Sequence, residues 1–183
     1  MSDLFVDNIK HQSSQGSGTI TIGASGESVT VPNGSLTGQN YPAFEATMSA
    51  DQNTTNSVFT KIQYNTESFD TDSCYDATTN YRFTPTVAGK YFFYATARMT
   101  ANANSELGSH IIGLSKNGTV IQRVASNPAA NYGNSSNLTF NMINSANGST
   151  DYYEIFIYIL DVSGTPSVLG GVYSNFGAYR IGA

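Results

Sequence analysis

The chain has 183 residues, of which only 11% are charged while 12% are aromatic, Tyr and Phe with no Trp. A length of this order supports one ordinary domain with a short appendage. The net charge of -5, with eight scattered cations and no basic patch, excludes the clustered Lys and Arg that a nucleic-acid partner requires.

Tyr, Phe, Val, Ile and Thr fit a pleated, half-buried surface, and the abundant Gly and Asn supply turns, so the composition is that of an all-β protein. The single cysteine, Cys74, excludes an intrachain disulfide framework. The start MSDLFVDNIK carries acids and no apolar core, so it is not a secretory signal. The longest apolar run, 155–160, is too short to cross a bilayer, and no membrane insertion is expected. Export would then use another route, such as release of assembled particles by lysis.

Residues 1–40 are read as an attachment or stalk segment. GSGTITIG is followed by GESVTVPNG, so the pair Ile20 and Ile22 recurs as Val29 and Val31, each alternating with Thr. Such alternation gives two short period-two strands, closed by Gly23 and by Asn33-Gly34. Two rungs cannot bury a hydrophobic face alone, so they pair with other copies or dock on a larger body. A flexible Gly/Ser leader is the competing reading.

Residues 41–183 read as a head built of short strands. Strands are expected at 43–49, 58–64, 81–84, 90–100, 110–116, 120–125, 136–144, 152–161 and 172–181. Pro85 and Gly89 bracket the turn into the longest aromatic strand, Asn117-Gly118 is a two-residue hairpin signal, and Asn147-Gly148 breaks the chain before Tyr152. Strands that follow one another without helices exclude a βαβ architecture and favour a sandwich. Within 90–100, Tyr91, Phe93, Ala95, Ala97 and Met99 alternate on a core face, while Phe92 and Tyr94 make the other face more aromatic than solvation requires. Within 155–160, Ile155, Ile157 and Ile159 oppose Phe156, Tyr158 and Leu160. Strands apolar on both faces are covered on both, which predicts that a second subunit covers one sheet. Tyr91, Phe93, Phe156 and Tyr158 are the candidate core and trimer-contact residues.

Pro42-Ala43-Phe44-Glu45-Ala46 resembles the opening strand of the complement C1q-like heads, relatives of the tumour-necrosis-factor jelly roll, and Lys61-Ile62-Gln63-Tyr64-Asn65 resembles their second strand. Tyr75-Asp76, Tyr81-Arg82-Phe83-Thr84-Pro85 and Gly89-Lys90-Tyr91-Phe92-Phe93 resemble their Tyr-Asp, Phe-Thr and Gly-x-Tyr-x-Phe signature. Leu114-Ser115-Lys116-Asn117-Gly118 is similar to their Lys-Asn-Gly hairpin, and 176–181 sits where their closing strand would be. The usual Gly-Asp before the penultimate strand is replaced by Ser149-Thr150-Asp151, and no collagen-like Gly-X-Y stalk precedes the head. The leader VDNIKHQSSQGSGTITIGASGESVTVPNG instead resembles leaders of bacteriophage virion proteins, including fibres and other particle appendages. These resemblances imply a jelly-roll β-sandwich, a homotrimer, a place on the virion surface, and docking on another virion protein through residues 1–40.

Glu67, Asp70, Asp72 and Asp76 form the densest carboxylate cluster. Asp70, Asp72 and Asp76 are the candidate calcium ligands, but Cys74, the absent turn Gly and the absent closing Glu exclude an EF-hand. A solvated acidic loop is the alternative, and no other cofactor is expected. His11 and His110 lack the partner spacing of a zinc site, although three copies of His110 could meet on a trimer axis. No nucleophile elbow or selected pair of acids appears, so no catalytic residue is assigned. The Asn-x-Ser/Thr sequons at Asn53, Asn117, Asn134, Asn137 and Asn147 follow from the abundance of Asn and Thr. The loops 102–106, 127–137 and 144–150 offer amides, hydroxyls and an aromatic platform, with Asn104, Tyr132, Asn134 and Asn147 as candidate surface-binding residues. The expected function is a non-enzymatic phage virion appendage whose head adheres to a host-surface glycan or protein. A purely structural capsid or tail accessory, a soluble complement-like binding module and a carbohydrate-active enzyme are the alternatives.

Overall fold

The structure, a computed structural model, describes residues 42–101, 107–128, 133–161 and 164–182, all within one compact unit spanning 40–183. The expected attachment segment, with its Ile20/Ile22 and Val29/Val31 rungs, lies outside the described residues. Every regular element described is a strand: β1 (Ala43–Met48), β2 (Gln52–Asn53), β3 (Thr60–Lys61), β4 (Thr66–Asp70), β5 (Tyr75–Asp76), β6 (Arg82–Phe83), β7 (Gly89–Thr100), β8 (Leu107–Lys116), β9 (Thr119–Ser126), β10 (Ser135–Ala146), β11 (Tyr153–Asp161), β12 (Ser167–Leu169) and β13 (Gly171–Gly182).

These strands form two antiparallel sheets. In the first, β7 is central, with β10 on one side and β13 and β12 end to end on the other, followed by β1 and β4 beyond β13. The second runs β5-β6-β11-β8-β9, with β3 also on β11. Alternation decides which side chains meet between the sheets. Phe44, Ala46 and Met48 from β1, the odd residues of β7 from Tyr91 to Met99, and Phe176 and Ala178 from β13 face Ile112, Leu114, Tyr153, Ile155, Ile157 and Ile159. One end of this core is aromatic: Phe44 stacks on Tyr75 at 4.4 Å and on Phe83 at 4.6 Å, and Phe93 lies 4.3 Å from Tyr153. Such pairs add about 0.5–1.5 kcal/mol each beyond their burial.

The Asn117-Gly118 turn has the form its sequence predicts, with φ of 52° and 80° at its two residues. The β10–β7 ladder runs without a register shift from Ser135↔Thr100 to Ala146↔Gly89. Described chain enters at Ala43 beside Tyr179 and leaves at Gly182 beside Lys90, at one end of the sandwich. Thr100, Leu107 and Ser135 mark the opposite end.

Two expectations change. The strand expected over 58–64 pairs only at Thr60–Lys61, because the chain turns inward after Lys61 to bury Ile62 and Tyr64. Ile62 still donates its N–H to the Ile155 carbonyl at 2.9 Å, and the Tyr64 hydroxyl donates to the Thr96 carbonyl at 3.2 Å. The stretch expected as an acidic loop begins with a strand, β4, paired antiparallel with β1 at the edge of the first sheet.

Candidate self-association face and loop end

The outer face of the first sheet is organised in crosswise rows fixed by strand register. One row reads Ala43, Tyr179, Phe92, Ile143, and the next Phe69, Glu45, Gly177, Tyr94, Asn141. A third, polar row reads Thr66, Thr47, Asn175, Thr96, Thr139, and Arg98 and Asn137 lie beyond it. The face is thus apolar toward the end where the chain enters and polar toward the other. Phe92 contacts Tyr179 at 5.4 Å between ring centres. Ile143, Tyr179 and Phe69 are 55%, 45% and 47% exposed, so nothing within the described residues covers them.

Tyr94 crosses β13 above Gly177, whose lack of a Cβ leaves room for the ring, and its hydroxyl donates to Glu45 Oε2 at 2.9 Å. Burial, and then the hydrogen bond to the Glu45 carboxylate, push the Tyr94 phenol upward. On the polar half the Thr96 and Thr139 hydroxyls are 3.0 Å apart, and the Arg98 guanidinium lies 4.8 Å from the Tyr173 ring centre.

The four residues expected at the core and trimer contact separate. Tyr91 and Phe93 are wholly buried between the sheets, and the Tyr91 hydroxyl donates to the Val87 carbonyl at 2.6 Å. Phe156 and Tyr158 sit half-buried on the outer face of the second sheet, where Phe59 lies 5.3 Å from Tyr158 between ring centres and β3 pairs beside Phe156. The uncovered aromatic face is carried by Phe92, Tyr94, Tyr179, Ile143 and Phe69. The even-numbered aromatics of 90–100 signalled two of these, but no local pattern placed Phe69 or Ile143 beside them, because only sheet register does that.

The calcium candidates are corrected. Asp70 accepts from the Tyr75 N–H at 2.8 Å and from the Asp72 N–H at 3.2 Å, and Asp72 accepts from the Thr86 hydroxyl. Asp76 accepts from the N–H groups of Thr78, Thr79 and Asn80 and from the Asn80 amide, at 2.7–3.1 Å. The carboxylates hold the loop's backbone instead of converging, and no group of three or more His, Cys, Asp or Glu is placed to hold a metal among the described residues. The Thr79 N–H, with those of Thr78 and Asn80, outweighs partial burial and holds the Asp76 carboxyl well below the usual carboxylate range. Cys74 is buried, and burial, followed by the Asp70 carboxylate, pushes its thiol far up.

The candidate binding loops divide similarly. Asn104 and Tyr132 lie outside the described residues. Asn134 is exposed, and its carbonyl accepts from the Ala101 N–H at 2.7 Å and the Thr100 hydroxyl at 2.9 Å, tying the starts of two loops together. Asn147 is exposed but occupied: its Oδ1 accepts from the N–H groups of Ser149, Thr150 and Asp151, each at 3.0 Å. Asp151 closes that turn, accepting from Lys116 Nζ at 2.8 Å, Asn117 Nδ2 at 2.9 Å and the Asn147 N–H at 2.9 Å. Burial raises the Asp151 pKa, but these donors outweigh it and the carboxyl sits below its ordinary value. His110 is buried under the loop end, its Nδ1 2.8 Å from the Gly108 carbonyl.

Two sheets in this strand order, with an uncovered aromatic face, define a jelly-roll head of the C1q and tumour-necrosis-factor type. No protein-family model matches the chain, and no curated protein matches it in sequence. Among solved structures, the globular domain of zebrafish complement 1qA protein is similar with a TM-score of 0.51 at 17% identity, over 76% of this chain and 96% of that one. The Eiger TNF of S. frugiperda is similar with a TM-score of 0.53 at 9% identity, over 77% of this chain and 91% of that one. Murine APRIL gives a TM-score of 0.55 at 8% identity, over 77% and 99%. At these identities the likeness establishes the fold alone.

Proposed function

We propose that this protein is a non-enzymatic binding head that assembles as a homotrimer through the outer face of its first sheet and is displayed on a bacteriophage virion, where its loop end adheres to the host surface. The observation that carries the assembly is the apolar half-face of Phe92, Tyr179, Ile143 and Phe69, brought together by register on the outer side of the first sheet. Contiguous apolar surface of this kind in a protein of low charge is a protein-contact surface. The virion setting is supported by the leader's resemblance to phage appendages, and residues 1–40 would dock on another virion protein.

Light scattering of the purified chain tests the assembly. A trimeric mass that falls to that of a monomer in Phe92→Lys and Tyr179→Lys is expected, and a monomeric wild type overturns it. Antibody labelling of intact particles tests the setting, with surface labelling expected and unlabelled particles refuting it. Excess purified head should block adsorption; labelled particles with unaffected adsorption would favour a purely structural decoration. Sugar turnover by the purified head would overturn the non-enzymatic reading.

A further inference from the structure

Described residues that follow 102–106 in sequence and others within 127–137, two segments singled out by their Asn- and Ser-rich composition, line one cavity. It has a volume of about 180 Å³ and is lined by Leu107, His110, Ser126, Pro128, Gly133, Ser135 and Ser136. The Leu107 N–H donates to the Gly133 carbonyl at 3.2 Å, which fixes its two sides relative to each other.

His110 is the unusual member. It is 1% exposed, and Nε2 is a buried polar atom without a hydrogen-bond partner. Buried polar atoms are nearly always partnered, because leaving one bare forfeits its hydration. The Gly108 carbonyl can only accept, so the Nδ1 facing it carries the proton, and in the neutral ring Nε2 is left as an acceptor. What this nitrogen lacks is therefore a donor, and His110 is a residue of the cavity wall.

The lining chooses among donors. Among the described residues it contains no Lys or Arg, which disfavours an anion, and one imidazole without a thiolate or carboxylate among them is too few ligands for a metal. Two serine hydroxyls, those of Ser126 and Ser136, both give and take hydrogen bonds and suit a ligand that is itself hydroxylated, whereas Ser135 alternates to the outer face, where its hydroxyl accepts from Arg98. Leu107 and Pro128 supply an apolar wall for the C–H face of a ring. The volume is below the roughly 300 Å³ at which drug-sized pockets begin, so it takes one small ring, not a chain.

We propose that this cavity binds a single sugar ring, free or at the end of a glycan, with one ring hydroxyl donating to His110 Nε2 and others meeting Ser126 and Ser136. The proposal rests on the head being a binding module, and is independent of its trimeric state.

The chain contains only two histidines, so ¹⁵N-histidine labelling of the full-length protein reports His110 directly, with His11 as an internal control. Titration with D-glucose, D-galactose and N-acetyl-D-glucosamine is expected to move the His110 Nε2 resonance saturably for at least one sugar, leaving His11 unmoved. His110→Gln identifies the resonance. Ser126→Val and Ser136→Val, which keep the histidine, are each expected to weaken the response by about tenfold, the effect of one lost hydrogen bond. Solubilised host-surface polysaccharide that also moves the resonance identifies a glycan end, and a response to free sugars alone identifies a free sugar. No response to any sugar up to its solubility, or a response indifferent to both serine variants, overturns the site and leaves water as the occupant. Blocked adsorption without a His110 response likewise overturns the cavity while leaving adhesion to another surface. A His110 response without blocked adsorption supports the cavity and removes the adhesive role.

Discussion

Gly177→Ala should act on the protein almost wholly through Tyr94. A Cβ at position 177 would stand 2.8 Å from Tyr94 Cε1 and closer still to Cζ and the hydroxyl. The obstructing atoms belong to the far end of a side chain, so the ring swings away and the backbone stays. Two contributions then disappear. The hydrogen bond to Glu45 spans 2.9 Å on a part-buried surface and, after screening, contributes about 1 kcal/mol. Uncovering roughly 40 Å² of apolar ring and strand costs about another 1 kcal/mol at ~25 cal/mol per Å². Replacing Gly by Ala within a strand returns about 0.5 kcal/mol. The variant should therefore lose about 1.5 kcal/mol in wild type, yet gain about 0.5 kcal/mol in a Tyr94→Ala background, a coupling of about 2 kcal/mol. Urea unfolding followed by circular dichroism and tyrosine fluorescence, usable because the chain has no Trp, measures this at one fixed protomer concentration. Additive effects, within about 0.3–0.5 kcal/mol, would refute the idea that Gly177 exists to seat Tyr94.

Asp76 and Asp151 are both held below the ordinary carboxylate range, so the folded protein binds fewer protons than the unfolded chain near pH 4. Their stabilisation is complete above the unfolded value near pH 4 and is lost as pH falls toward the folded values. Thermal unfolding from pH 7 to pH 3 should show Asp76→Ala with a shallower acid dependence than wild type, and an unchanged slope would refute the assignment. Asp151→Asn removes the negative charge paired with Lys116 and should cost about 1–2 kcal/mol at pH 7 by urea denaturation, while its acid dependence also flattens. The buried Cys74 thiol, pushed up by burial and Asp70, should react with an aromatic disulfide reagent at pH 8 about a hundredfold more slowly than in urea. Rapid stoichiometric labelling of the native protein would contradict that environment.

Long strands were legible because each carries its own alternation. The odd residues of 89–100 and the isoleucines of 155–159 declare a core face without reference to the rest of the chain. Short strands were not. β2, β5 and β12 have two or three residues each, too few to show a period; β12 pairs with the long β7, and β2 and β5 pair with the equally brief β12 and β6. β4 was hidden by its chemistry, since Thr66, Glu67, Ser68 and Phe69 are all exposed at a sheet edge and lack the buried half that marks a strand. The carboxylates nearby look like a cation site when counted along the chain, yet Asp70 and Asp76 fold onto local backbone donors and Asp72 accepts from the Thr86 hydroxyl. The aromatic outer face was half visible, in Phe92 and Tyr94. Its partners come from strands far apart in sequence, and register, not composition, assembles them. His110 suggested only a meeting of copies on an axis, yet it is buried within the chain, and a lone histidine in a strand looks the same whether or not its second nitrogen is partnered.

Both ends of the described head leave from the same side, beside Tyr179 and Lys90, while the loop ends at Ala101, Leu107, Pro128 and Gly133 lie at the far end of β7. Twelve residues of extended strand separate the two sides by about 36–40 Å. This polarity makes the head a natural display scaffold. Foreign peptides inserted beside Ala101 or Gly133 would enter at the end of the sandwich away from the apolar rows. Insertions should therefore be tolerated better at the loop end than within the apolar rows.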